Sequence, residues 1–219
     1  MVTQIALVDG RQLGVVSIAQ SNTAVIDFAL QSSVHAQIAQ GGWDAVILQQ
    51  GPTTPGICRD TLVLGTISLD RSIRAAGART ATLMTWPYDG FPDAFAWVHE
   101  SAKRASDAVN GLFLPAGDAW VIAKRLDPSL KLYGPDGYHP AVLGSLLTAL
   151  VVYEGVTGRD VRLLNSDIPI AGYSGVTLRT LQQAAHEAVT AQPLSESGQL
   201  PAGPTMPGIA SARVSRSSC

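Results

Sequence analysis

DAVILQ at residues 44–49 holds the aliphatic run AVIL at 45–48, set between Gly41-Gly42 on one side and Gly51-Pro52 on the other. A short unbroken apolar run between turn residues marks a strand buried on both faces, and therefore a parallel sheet covered by helices. TATLMT at 80–85 and LFLP at 112–115 read the same way. A further run, LGVVSIA at 13–19, follows the turn residues Asp9-Gly10 and is expected to be a buried strand too. Helical spacing fills the intervals: 26–39 ending at Gly41-Gly42, 59–76 closed by Gly77, 94–109 with Asp93 as N-cap, 119–126, 141–153 opened by Pro140, and 177–190. Strands alternating with helices predict a three-layer α/β sandwich with a mostly parallel sheet. In such sheets the ligand crevice lies beyond the carboxyl ends of the strands, which directs attention to the loops after residues 19, 49, 85 and 115 and to the loop before Pro140.

The chain has 219 residues, a formal charge of −2, and 46% hydrophobic against 15% charged residues, enough for one real core and too apolar for a disordered body. No apolar run approaches the roughly 18 residues of a membrane helix, and no Lys/Arg block marks a nucleic-acid or anionic-lipid surface. Neither nucleic acid nor membrane is therefore an expected partner. Cys58 and Cys219 cannot make a disulfide framework and stand in no metal-binding spacing, so no metal site is expected. MVTQIALVDGRQ at the start lacks the basic and long apolar regions of a secretory segment, which makes the cytoplasm the default compartment, with export left open should a segment precede Met1. The last 29 residues hold four prolines and six serines, so 191–219 is expected to be a disordered tail and 1–190 the domain.

The sharpest local chemistry is Asp136-Gly137-Tyr138-His139-Pro140. A carboxylate three residues before an imidazole, in a loop ahead of a helix, can fold onto Nδ1–H, fix the tautomer, and leave Nε2 free to take a proton from a nucleophile. The bland alternative is a surface Asp-Gly turn with an incidental histidine. His35, His99 and His186 lie inside helical patterns with no acidic partner in a loop and read as solvated or packing residues.

Four blocks now line up: WDAVILQQGP at 43–52, TLMTWP at 82–87, LFLPAGDAW at 112–120, and LYGPDGYHPAVLGSLLTALVVYEGVTGR at 132–159. In this order and spacing they resemble the SGNH (GDSL-like) hydrolases, over roughly residues 10–190, and most of all the bacterial subgroup whose third block reads LQQGP. The resemblance implies a flavodoxin-like sandwich carrying a Ser–His–Asp triad, with Asp136 as the orienting acid, His139 as the general base, and no metal or organic cofactor. It implies a small-molecule ester as substrate, commonly an acetylated sugar, a lipid or a small acyl ester. Aligning Gly51 with the family's third-block glycine puts Thr53 where the oxyanion-binding Asn stands and Thr54 where Asp follows. Gln49 and Gln50 are then alternative amide donors, or polar residues that merely cap the strand. The second block's backbone donor would fall at Ser21 or Asn22, where no glycine occurs. Trp86, Tyr88 and Trp43 are candidates for an apolar or sugar-stacking wall, with core packing an equal reading for Trp43.

The departure is at the start. No GDS, GNS or GxSxG occurs, and GYSG at 172–175 lacks the second spacing. The chain thus resembles the family without its first strand and nucleophile, so no serine is assigned. In flavodoxin-like order that strand lies inside the sheet, and its loss is expected to leave 13–19 and 44–49 each with an unsatisfied edge. The expectation is a reading frame that starts late or a fragmentary gene, and a chain inactive for want of the serine. The rival is a non-catalytic binding module with the same fold. A flavodoxin-like nucleotide binder is a third reading, opposed by the lack of a phosphate-cradling glycine loop.

Overall fold

Three parallel strands form, β1 (Ala45–Gln49), β2 (Arg79–Leu83) and β3 (Leu112–Leu114), in the spatial order β1-β2-β3. Ala45 stands opposite Arg79 and Ala81 opposite Leu112, so the carboxyl ends of all three strands finish at one rim. The computed structural model describes residues 1–191, and the helices are α1 (Val2–Val8), α2 (Val25–Phe28), α3 (Ser32–Ala39), α4 (Ile57–Ala75), α5 (Ala94–Asp107), α6 (Ala116–Leu126), α7 (Val142–Thr157) and α8 (Gly175–Thr190). All but Ala191 of the tail expected at 191–219 lies outside the described residues.

The strand alternation sorts side chains into two layers. Ala81 and Leu83 of β2 and Leu114 of β3 join Ile5, Trp120, Leu146, Leu150, Leu178 and Leu181, which are the buried stripes of α1, α6, α7 and α8. On the opposite face Leu48 of β1 packs with Val25, Leu62, Leu69 and Ile73 from α2 and α4, and Thr80 of β2 donates a 2.6 Å hydrogen bond to Asp70 of α4. Sheet between two helical layers is the predicted three-layer α/β sandwich. The N-terminal helix is tied down by charge as well as packing. Asp9, just past α1, accepts from Tyr153 Oη at 2.5 Å and from Arg159, which fastens α1 to the end of α7.

Two expectations fail. The run 13–19 forms no strand: it crosses the surface without a ladder partner, with Val15 62% and Val16 58% exposed. Its β-branched side chains suit a strand, but a strand exists only where another edge lies beside it, and β1 presents its outer edge without a neighbour among the described residues. Ile47, on the β1 face opposite Leu48, is correspondingly exposed. The helix expected at 26–39 breaks into α2 and α3, because Gln31 turns extended (φ −93°, ψ 118°) and the His35 ring takes the Ala29 carbonyl at 2.9 Å. Underneath, Gly65 of α4 lets α2 sit against it, since a Cβ there would lie 2.6 Å from the Ile26 nitrogen.

Candidate active site

Asp136 and His139 meet. Asp136 Oδ2 lies 2.6 Å from His139 Nδ1, while its other oxygen accepts the backbone N–H groups of Tyr138 (3.1 Å) and His139 (3.0 Å). One carboxylate thus closes the turn and holds the ring, a local arrangement that needs only the Asp-Gly-Tyr-His run, with Gly137 at φ 65° making the bend. Donation from His139, then from the Tyr138 amide, holds the Asp136 carboxyl down at about 2, so it is ionised at neutral pH. With Nδ1 facing a carboxylate, Nε2 is the nitrogen left for chemistry, and no group among the described residues hydrogen-bonds to it. The pair is open to solvent, the His139 side chain 74% exposed.

Three contacts fix this loop at the rim of the sheet. Trp86, at the exit of β2, donates from Nε1 to the Tyr138 carbonyl at 3.0 Å and stacks on Trp120 at 3.9 Å between ring centroids. Asp89 N–H donates to the Gly137 carbonyl (2.8 Å), and Tyr133 Oη donates to the Pro87 carbonyl (2.8 Å). A Cβ on Gly51, two residues past β1, would lie 3.2 Å from Tyr138 Oη, so the β1 exit abuts the residue before His139. The loops after β1 and β2 and the loop before α7 therefore converge where a parallel sheet places its ligands.

The other site candidates divide. Gln50 is buried: its Oε1 accepts from Val25 N–H at 2.9 Å and its Nε2 donates to Thr53 Oγ1 at 3.1 Å. Thr53 in turn donates to the Gly51 carbonyl, so both residues are occupied in bracing the loop. Gln49 is exposed at the end of β1, and its amide makes no hydrogen bond among the described residues. Asn22 is exposed in the left-handed region (φ 53°), three residues before the Val25 that Gln50 grips, so its loop is joined to the same rim. Of the three aromatic wall candidates, Trp86 is a buried prop and Trp43 is half-buried with Nε1 on the Gln37 carbonyl. Tyr88 is exposed and stacks on Tyr138 at 4.3 Å.

Of the remaining histidines, His35 bonds to Ser72 Oγ and the Ala29 carbonyl, whereas His99 and His186 do have carboxylate partners, on neighbouring helices and, for Asp160, in the loop after α7. His99 of α5 meets Asp118 of α6 at 2.7 Å, and His186 of α8 meets Glu154 of α7 at 2.7 Å and Asp160 at 3.2 Å. Glu154 also accepts Val161 N–H, and Asp160 holds Arg162, so the second cluster is a closed tie between helices. Sequence reading missed the roles of Trp86 and Tyr138. The signal was the presence of aromatic residues in both facing loops, Trp86 and Tyr88 in WPYDG and Tyr138 in GPDGYHP, without an indication of which turns inward.

No family model matches the chain, and neither does any curated protein. Two solved structures do. A DUF4886 family protein from Bacteroides uniformis superposes with a TM-score of 0.68 at 17% identity, covering 86% of this chain and 88% of its own. A protein from Slackia heliotrinireducens, itself provisionally assigned as an SGNH hydrolase, superposes with a TM-score of 0.58 at 23% identity, covering 69% of this chain and 88% of its own. Likeness at these identities speaks to architecture, and the architecture of this chain is an SGNH-like α/β fold.

Proposed function

We propose that this chain carries the acid–base half of a serine ester hydrolase of the SGNH lineage, with small acyl esters or acetylated carbohydrates as its substrate class. The carrying observation is the 2.6 Å contact between Asp136 Oδ2 and His139 Nδ1 at the carboxyl rim of a parallel sheet. In that reading His139 Nε2 takes the proton of an attacking serine and returns it to the leaving alcohol. Asp136 balances the imidazolium, and the Gln49 amide and the Asn22 loop face the developing oxyanion. Exposed Tyr88 is the natural wall for a sugar ring. No cofactor enters the scheme. No serine of this chain is assigned the attack, and the chain alone is read as inactive on alkyl esters.

The second reading is a binding module, favoured by the inward-turned Gln50 and Thr53 and by the absence of a hydroxyl at His139 Nε2 among the described residues. Hydrolysis of an alkyl acetate and of an acetylated xyloside separates the two, measured on this chain and on a form extended by the codons upstream of Met1. Turnover gained on extension and lost in His139→Ala supports the hydrolase. Binding of the xyloside without turnover in both forms supports the module.

A further inference from the structure

We propose that His139 is itself an acyl acceptor: its Nε2 attacks activated acyl donors, those with a weakly basic leaving group, and passes the acyl group to water. The inference stands on the geometry of this one ring and needs no serine.

Four histidines occur, and their surroundings rank them. His35 has both nitrogens engaged, Nδ1 with Ser72 Oγ at 2.8 Å and Nε2 with the Ala29 carbonyl at 2.9 Å. His186 keeps its Nδ1 between two carboxylates with its side chain 17% exposed, and His99 is 33% exposed against Phe113. His139 alone combines an Nδ1 held by a carboxylate with 74% exposure, so an incoming carbonyl reaches Nε2 without displacing protein. Because Nδ1–H is donated to Asp136, the in-plane lone pair of the neutral ring sits on Nε2.

The step balances. The Nε2 lone pair forms a bond to the acyl carbon, and collapse of the tetrahedral adduct breaks the carbon–oxygen bond, so the phenolate departs with its electron pair. The ring is left as an acylimidazolium whose positive charge faces the Asp136 carboxylate at 2.6 Å. Water then attacks the same carbon, the nitrogen–carbon bond breaks, its electrons return to Nε2, and the carboxylic acid forms with release of a proton. An alkoxide is a poorer leaving group than imidazole, so with alkyl esters the adduct reverts. That restriction separates this activity from the serine chemistry above.

The test is p-nitrophenyl acetate with the full chain, followed by acid quench and peptide mapping. The expected result is an acetyl group on the peptide carrying His139, removable by hydroxylamine and absent from His35, His99 and His186. His139→Ala falls to the buffer blank while circular dichroism stays unchanged, and His99→Ala keeps full rate. The first-turnover burst of nitrophenolate shows no slowing in deuterium oxide, as direct attack requires. An acetylated serine or lysine in place of His139, an undiminished His139→Ala, or a marked slowing of that first-turnover burst in deuterium oxide each overturns the proposal. Failure of the alkyl-ester assay leaves it standing, so the two readings fail separately.

Discussion

Replacing Trp86 separates the dyad from the scaffold that positions it. Trp86→Phe deletes the 3.0 Å hydrogen bond to the Tyr138 carbonyl and shrinks the ring stacked on Trp120. The bond is worth about 0.5–1.5 kcal/mol net. The stack contributes about 0.5–1.5 kcal/mol beyond area, part of which a phenyl ring keeps. The expected loss is thus about 1–2 kcal/mol for Trp86→Phe, rising to about 3–5 kcal/mol for Trp86→Ala, where a buried ring leaves a void. Urea denaturation followed by far-ultraviolet circular dichroism measures both. The Asp136–His139 bond is made inside its own four-residue turn and does not touch Trp86. Proton NMR of Trp86→Phe should therefore keep the downfield His139 Nδ1 proton while the Tyr138 resonances broaden. A Trp86→Ala variant within about 0.5 kcal/mol of the parent, the range of a surface substitution, would refute the prop. Loss of the Nδ1 proton in Trp86→Phe would refute the local origin of the dyad.

Gly144 of α7 lies where a methyl group would overlap the Leu132 carbonyl oxygen and come within 2.5 Å of the Trp120 ring. Gly144→Ala should cost about 1–3 kcal/mol by overpacking, read by urea denaturation. At the alkaline end, burial first, then Asp9, pushes the Tyr153 hydroxyl up to about 12, and burial with the Asp89 charge does the same for Tyr133. Folded values above the unfolded one near 10 mean a contribution complete below about pH 10 and lost as pH rises through about 12. Tyr153→Phe should flatten that alkaline fall in a pH series of denaturation midpoints. At the acid end the Asp136 carboxyl is held down at about 2, so its contribution is complete above its ordinary value and disappears as pH falls through about 2. Carboxyl carbon NMR should show that midpoint move upward, toward the ordinary carboxylate range, in His139→Ala.

What could be read from sequence was whatever is local. The three strands that form are short apolar runs between turn residues, and the dyad lies within four consecutive positions. What failed depended on distant atoms. The run 13–19 has strand-forming side chains, but it crosses the surface without pairing to either free edge of the sheet. Gln50 and Thr53 turn inward because Val25, 25 residues earlier, offers an N–H that no spacing announces. The His99–Asp118 and His186–Glu154 ties join helices 19 and 32 residues apart, so helical periodicity alone could only class those rings as packing. Trp86 and Tyr88 stand two apart in one loop, and nothing in their order tells which turns into the core.

The flank of β1, bare among the described residues, has a consequence for handling the protein. Its five residues, AVILQ, carry no charge and no proline to deter a second molecule, and Ile47 among them projects into solvent. Exposed strand flanks of this kind template intermolecular β-pairing. Concentrated solutions should therefore grow oligomers joined through this flank, and a lysine at position 47 should keep the chain monomeric.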